Sequence, residues 1–133
     1  MDPVKPDELA TVPLLSGLEP GDLVVLASRL EVEKGDKGHV WAREGQSGYA
    51  FYLVADGSLE VTIEGQPVRL LGPGDYFGEI AILGGGRRTA TVTSTSSTTL
   101  WSLFGTRFRE LQMDHPAVAA ALENAMNERL ATD

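Results

Sequence analysis

Between residues 30 and 104 the chain consists of short runs rich in β-branched and aromatic residues, separated by turns that contain glycine. The runs are LEVEKG, HVWAREG, YAFYLVADG, SLEVTIEG, PVRLLGPGD, RTATVTST and TTLWSLF. Turn signals recur about every ten residues, which is the spacing of strands in a β-sandwich or barrel. The sequence therefore predicts a mainly β fold over this region.

The pair of runs around Asp56-Gly57 carries the strongest local turn signal, because Asp-Gly between two β-rich segments is typical of a tight hairpin. In the second run Leu59, Val61 and Ile63 alternate with polar residues. This alternation predicts a strand with one apolar face and one solvated face.

Helical patterns flank the β-rich region. Residues 7–15 and 20–30 carry apolar side chains at helical spacing, and Pro20 suits the first turn of a helix. After Gly105 the sequence contains no further glycine and is rich in Ala, Leu, Glu and Arg. A helical hairpin broken near Pro116 is therefore predicted at the C-terminus. Its apolar stripe has the spacing i, i+3, i+4, i+7, i+8 and consists of Val118, Ala121, Leu122, Ala125 and Met126.

Composition limits the partners. The chain has 133 residues, the usual size of one domain, and a net charge of −8, which repels nucleic acid and anionic membrane surfaces. It contains no cysteine, no signal-peptide pattern and no apolar run long enough to span a bilayer. We therefore expect a cytoplasmic protein that binds neither nucleic acid nor membranes.

The segment from Phe77 to Ser94, FGEIAILGGGRRTATVTS, is the one that suggests chemistry. The glycines at 84–86 favour a nest of backbone N–H groups that binds an anion, and arginine supplies a planar fork that fits two phosphate oxygens. The run from Glu79 to Leu83 is compatible with one helical turn. Because a phosphate repels a carboxylate, we expect Glu79 to bind a neutral donor such as a ribose hydroxyl.

Each of these features also has a simpler explanation. Three glycines are more often a flexible loop, Arg87 and Arg88 are compatible with solvated surface charges, and Glu79 is compatible with a turn cap. The order of residues, rather than any single one, favours a nucleotide site.

That order resembles the phosphate-binding cassette of the cyclic nucleotide-binding domain, which catabolite activator protein, protein kinase A regulatory subunits and nucleotide-gated channels share. FGEIAIL followed by RTATVTS carries the resemblance, and AREGQSGYAFYLVADGSLEV, LLGPGDYFGE and the closing helices extend it over nearly the whole chain. It implies an eight-stranded antiparallel jelly-roll β-barrel with flanking helices. The expected divisions of a single domain, 1–133, are N-terminal helices (1–30), jelly roll (31–104) and C-terminal helices (105–133).

The resemblance also implies roles for individual residues. Arg88 matches the arginine that pairs with the cyclic phosphate, and Glu79 matches the acid that binds the ribose 2′-hydroxyl. Positions that line the phosphate, the sugar or the underside of the ligand are matched by Gly78, Ile80, Ala81, Thr89 and Ala90. Arg87 stands where many members have proline, so which arginine binds is left open, although the spacing favours Arg88.

The last helix has no aromatic residue to stack on the base, so Leu122, Met126 or Leu130 is expected to cover it.

The function that the resemblance implies is that of a regulatory domain whose C-terminal helices move when it binds a cyclic nucleotide. The first candidate ligand is 3′,5′-cyclic AMP, and the second is cyclic GMP. No enzyme activity, metal or cofactor other than this ligand is expected, because His39 and His115 lack partners at metal spacing. In bacteria such domains are fused to several kinds of effector, and nothing in the sequence selects one. A weak homodimer through Ala119, Ala120 and Ala121 is an alternative to packing of that helix on its own core.

Three other classes are less consistent with the sequence. A transcription factor needs a DNA-binding motif after the last helix, and no such motif is seen in this sequence. A cupin enzyme needs a cluster of metal ligands, whereas the two histidines here are scattered. The closest alternative is a protein-interaction module of the same fold that binds no nucleotide. Such a module is expected to lack Glu79 or Arg88, and both are present.

Overall fold

The computed structural model describes residues 4–46, 48–84 and 88–132, without the side chains of residues 80 and 129–132. The strands are β1 (Glu31–Gly35), β2 (Val40–Ala42), β3 (Ala50–Asp56), β4 (Leu59–Ile63), β5 (Gln66–Leu71), β6 (Tyr76–Phe77), β7 (Thr91–Ser94) and β8 (Thr98–Phe104). The helices are α1 (Pro6–Leu9), α2 (Pro20–Ala27), α3 (Ile80–Leu83), α4 (Gly105–Asp114) and α5 (Pro116–Thr132), with a short 3₁₀ helix at Pro13–Leu15.

The eight strands form two antiparallel sheets of four, in the orders β1-β8-β3-β6 and β2-β7-β4-β5. The predicted mainly β fold with flanking helices, and its eight antiparallel strands in a jelly roll, are confirmed. The strands remain in two sheets, however, and do not close into one barrel. The short β6 is absent from the seven runs that the sequence pattern predicts.

The first sheet lies between the second sheet and the helices, as the alternation along β3 shows. Phe51 and Leu53 belong to the core that contains the helices, whereas Val54 belongs to a second core shared by strands of both sheets. Because successive side chains of a strand point to opposite faces, one strand can supply both cores. The second core contains Ala42, Val54, Leu59, Leu71, Phe77, Val92 and Leu100.

The hairpin predicted at Asp56-Gly57 is wrong, because β3 and β4 belong to different sheets and do not pair. Gly57 has φ +91° and lies against the carbonyl of Ser97, so the chain crosses between sheets where a side chain has no room. The tight hairpin instead joins β4 and β5 through Glu64 and Gly65, whose φ angles are 51° and 79°. Positive φ at both central residues gives the twist that a two-residue hairpin needs.

The N-terminal prediction is partly wrong, since residues 7–15 form α1 and a 3₁₀ helix instead of one continuous helix. Val12 precedes Pro13 and is extended, with ψ 119°, because the proline ring disfavours helical geometry at the preceding residue. In α2 the helix begins at Pro20, and the Asp22 carboxylate accepts a hydrogen bond from the Glu19 N–H at 3.1 Å.

The predicted C-terminal hairpin is confirmed. Helices α4 and α5 are separated by His115, and three residues of the predicted stripe, Val118, Leu122 and Met126, are buried. They pack in the same core as α2 and the 3₁₀ helix. The C-terminal helix is thereby attached to the N-terminal helices.

Candidate functional site

A cavity of about 280 Å³ opens beside β6 and the start of α3. One of its walls consists of residues from the predicted cassette, and the facing wall comes from β4 and β5. The first wall contains Gly78, Glu79, Arg88, Thr89 and Ala90. The second contains Val61, Ile63, Val68, Arg69 and Leu71, and the lining is completed by Ala42, Tyr76, Phe77 and Val92.

Five of the eight sequence-predicted site residues therefore meet at one cavity. Ala81 lies in α3, half-buried, and does not line it. The backbone of Ile80 also belongs to α3, but its side chain is outside the described residues, as is the whole of Arg87. The predicted helical turn over 79–83 is confirmed by α3, whereas residues 85 and 86 of the expected glycine nest lie outside the described part.

The Arg88 side chain is buried, with 9% of the residue exposed, and is held from several sides. Its backbone N–H donates to the Gln46 carbonyl at 2.8 Å, and its own carbonyl accepts from the Gly45 N–H at 2.8 Å. Its Nη2 donates to the Ala50 carbonyl at 3.0 Å. The segment that connects β2 and β3 thus holds the Arg88 backbone, and the first residue of β3 holds its guanidinium beside the cavity.

Within the part of the chain that the structure describes, no carboxylate forms an ion pair with Arg88. The ion pairs found there join Arg29 to Glu110 and Asp114, and Arg107 to Glu110. Burial is the main cause that lowers the pKa of Arg88 below its ordinary value, and Tyr52 and Glu79 act in the opposite direction. A buried cation without an acid partner is costly, so the cavity favours an anion.

Glu79 stands between Gly78, which has φ +84°, and the first residue of α3. Its backbone carbonyl accepts hydrogen bonds from the N–H groups of Ile82 at 2.9 Å and Leu83 at 2.8 Å. The half-buried residue lines the cavity, and its charge acts on Arg88. The Arg88 guanidinium and the Glu79 carboxylate therefore border the same cavity without forming an ion pair with each other.

An aromatic layer lies directly behind the cassette wall. Tyr52 stacks on Phe77 with ring centroids 4.8 Å apart, and Trp41 packs edge-on against Tyr52 at 5.8 Å. Burial raises the pKa of Tyr52, with a smaller contribution from Glu33 and an opposing one from Arg88. This layer therefore packs against Phe77, the residue that precedes Gly78.

Comparison with known proteins identifies the family and the fold. The sequence profile described as "Cyclic nucleotide-binding domain" matches residues 32–115, which includes both walls of the cavity. The chain belongs to the cyclic nucleotide-binding domain family.

Relatives of this cyclic nucleotide-binding domain occur within longer proteins. A Rhodopseudomonas palustris protein, named as a potassium channel, is 34% identical over 125 residues, which cover 91% of this chain and 30% of the relative. Human potassium/sodium hyperpolarization-activated cyclic nucleotide-gated channel 2 is 32% identical over 122 residues, covering 92% of this chain and 14% of the channel. The chain thus spans less than a third of the length of these curated relatives.

A solved structure shows the same architecture. The regulatory domain of Toxoplasma gondii protein kinase A, crystallised with cAMP, superposes with a TM-score of 0.81 at 25% identity. The superposition covers 96% of this chain and 49% of that one. The likeness therefore extends to the flanking helices as well as the two sheets.

The sequence prediction of the site does not include the residues of the β4–β5 wall, although they line the cavity. Ile63 and Val68 are apolar yet 41% and 55% exposed, and both line the cavity. The alternation along β4 predicts an apolar face, but it does not show that this face extends past the core. An apolar strand face that continues beyond its last buried residue, Leu59, is the signal that identifies this wall.

In this structure neither Leu122 nor Met126 lines the cavity, so the expectation that one of them covers the base stays a prediction for the ligand-bound state. Both side chains are fully buried against the N-terminal helices, and neither lines the cavity. The Leu130 side chain lies outside the described residues. The stripe predicted for α5 packs in the core of this structure, so these two side chains would reach a ligand only if α5 moved.

The described residues contain neither a cluster of side chains that could hold a metal ion nor a helix that could span a membrane. No three histidine or acidic side chains lie close enough together to hold a metal ion. Among the same residues, no helix has both the length and the apolar composition that a membrane crossing requires.

Proposed function

We propose that this domain is a regulatory module that binds 3′,5′-cyclic AMP in preference to cyclic GMP and has no catalytic role. The observation that carries the proposal is the convergence of Arg88 and Glu79 on one cavity, with Arg88 buried and lacking an acid partner among the described residues. A cyclic phosphate supplies the missing anion, and its ribose 2′-hydroxyl supplies a donor to the Glu79 carboxylate. Cytoplasmic action is part of the same proposal.

The two walls suit different parts of such a ligand. The arginine fork and the carboxylate recognise the charged sugar-phosphate, with contributions from the backbone at Gly78 and from Thr89. The apolar side chains of Val61, Ile63 and Leu71 offer a surface for the base. Charged hydrogen bonds contribute roughly 1.5–3 kcal/mol each, so two of them supply about half of the roughly 8 kcal/mol of micromolar binding. Burial of the base is expected to supply the remainder.

The preference for cAMP is supported by the similar Toxoplasma gondii domain, whose solved structure contains cAMP. Thr89 is compatible with both purines, so the ranking of the two nucleotides is a matter for measurement. Calorimetric titration with cAMP, cGMP and AMP tests it. We expect cAMP to bind most tightly and AMP, whose uncyclised phosphate carries an extra charge, at least about tenfold more weakly. Equal affinity for all three would instead indicate a generic anion site.

We further propose that binding shifts α4 and α5. The Gly105 N–H, at the start of α4, donates to the Tyr49 carbonyl at 2.9 Å, and Tyr49 adjoins Ala50, which accepts from Arg88. A ligand moves the helices only if it binds one arrangement more tightly than the other. Amide hydrogen exchange in α5 is therefore expected to change when cAMP is added. Identical exchange with and without a saturating ligand would remove the switch while leaving binding intact.

A further inference from the structure

Arg88 lies in a slot between two glycines, only one of which belongs to the predicted cassette. A Cβ on Gly78 would lie 2.6 Å from Arg88 Nη1, and a Cβ on Gly48 would lie 2.6 Å from Nε and 2.8 Å from Cζ. All three distances are shorter than two non-bonded atoms in contact allow. The guanidinium therefore occupies the space that a side chain at either position would need.

Gly48 belongs to the segment between β2 and β3 that already holds the Arg88 backbone. Before Gly48 in the chain, Gly45 and Gln46 form hydrogen bonds with the Arg88 backbone. After Gly48, the Ala50 carbonyl accepts a hydrogen bond from Arg88 Nη2. The connecting segment and the first residue of β3, both outside the cassette, thus bond the main chain and the side chain of Arg88.

We propose that Gly48 is a positioning residue for the phosphate-binding arginine: its missing side chain keeps the guanidinium aligned with the cavity. This inference rests on the proposed function, because it assigns Gly48 to the same anion site. Geometry of this kind matters because an arginine fork binds two phosphate oxygens only when it is correctly oriented.

The two glycines differ in what a substitution would disturb. At Gly78 an added methyl also meets the Ala50 carbonyl at 2.6 Å, and φ is +84°, so the backbone itself would be strained. At Gly48 the three nearest atoms all belong to the flexible Arg88 side chain. The guanidinium also borders a second cavity of about 180 Å³, which gives it room to move. Gly48→Ala should therefore displace the guanidinium while the fold is retained.

The experiment measures cAMP affinity by calorimetry for the wild type, Gly48→Ala, Arg88→Ala and the double variant. We expect Arg88→Ala to weaken binding about a hundredfold and Gly48→Ala about tenfold. In the Arg88→Ala background, Gly48→Ala should change affinity by less than about twofold, because its effect acts through the guanidinium. Gly17→Ala, where an added methyl meets open space, is the matched control and should bind like the wild type.

Thermal unfolding and a crystal structure of Gly48→Ala complete the test. The unfolding midpoint should stay close to that of the wild type, and the guanidinium should be displaced from the Ala50 carbonyl. Unchanged cAMP affinity in Gly48→Ala, or an equal loss in both backgrounds, would overturn the positioning role. If the wild type binds neither cAMP nor cGMP, the proposed function fails. The crystal structure then still decides whether Gly48 positions Arg88, since an undisplaced guanidinium would refute it.

Discussion

The two walls of the cavity differ in where their side chains come from and in how much water they meet. The cassette wall is formed by connecting segments around α3 and carries a buried cation and a half-buried carboxylate. The β4–β5 wall is formed by a hairpin, and its apolar residues Ile63 and Val68 are substantially exposed. The difference indicates a division of labour, in which the cassette wall supplies charge recognition and the hairpin wall supplies apolar surface. Substitutions on the first wall should therefore have larger effects than those on the second.

The largest effect is expected for Arg88→Ala, which should weaken cAMP binding by about a hundredfold because a buried charged fork is lost. Arg88→Lys should recover only part of this loss, since an ammonium group cannot bind two oxygens with a planar fork. Calorimetry gives both values. Arg43→Ala is a suitable control, because Arg43 is exposed and borders the second cavity but not the proposed site. Equal losses for the two alanine variants would mean that net charge, and not the site, attracts the nucleotide.

Glu79→Gln should weaken cAMP binding by about tenfold, because an amide is a weaker acceptor than a carboxylate for a ribose hydroxyl. The control for this variant is a modified ligand. For 2′-deoxy cyclic AMP, which lacks that hydroxyl, wild type and Glu79→Gln should bind within about twofold of each other. If Glu79→Gln weakens both ligands equally, the carboxylate is acting on something other than the 2′-hydroxyl.

On the hairpin wall, Ile63→Thr should weaken binding by about threefold to fivefold, since it removes part of an apolar surface with little change of shape. Leu70→Thr is the matched control on the same hairpin, because Leu70 is 71% exposed and does not line the cavity. Competition with a fluorescent cAMP analogue resolves differences of this size. A loss for Ile63→Thr as large as that for Arg88→Ala would reverse the proposed division between the walls.

The smallest effect is expected for Arg69→Ala. Arg69 lines the cavity but is exposed, so water and salt screen its charge from a bound phosphate. Affinity should fall by about twofold in dilute buffer and be unchanged at about 0.5 M salt. A salt-independent loss would show that Arg69 contacts the ligand directly.

The cassette wall could be predicted from the sequence because its chemistry is carried by residue types close together along the chain. A carboxylate, a run of glycines and an arginine within Phe77–Ser94 indicate a sugar-phosphate site before any fold is known. The meeting of Glu79 and Arg88 at one cavity agrees with that expectation. The hairpin wall could not be identified in this way, because Val61, Ile63 and Val68 are ordinary strand residues until the fold places them beside the cassette.

The wrong predictions also arise from tertiary structure. Asp56-Gly57 has the local chemistry of a hairpin, but strand pairing depends on the whole fold. Strands β3 and β4 belong to different sheets and do not pair. Leu122 and Met126, which are expected at a bound ligand, pack in the core of this structure, so that expectation stays a prediction for the ligand-bound state. A local pattern predicts that a side chain will be buried. It does not determine which surface will bury it.

A crystal structure of the complex with cAMP tests the central claim most directly. We expect the Arg88 guanidinium within about 3 Å of two oxygens of the cyclic phosphate and the Glu79 carboxylate at a similar distance from the ribose 2′-hydroxyl. A nucleotide bound outside the cavity, or one inside it that leaves the guanidinium bonded only to the Ala50 carbonyl, would contradict the account.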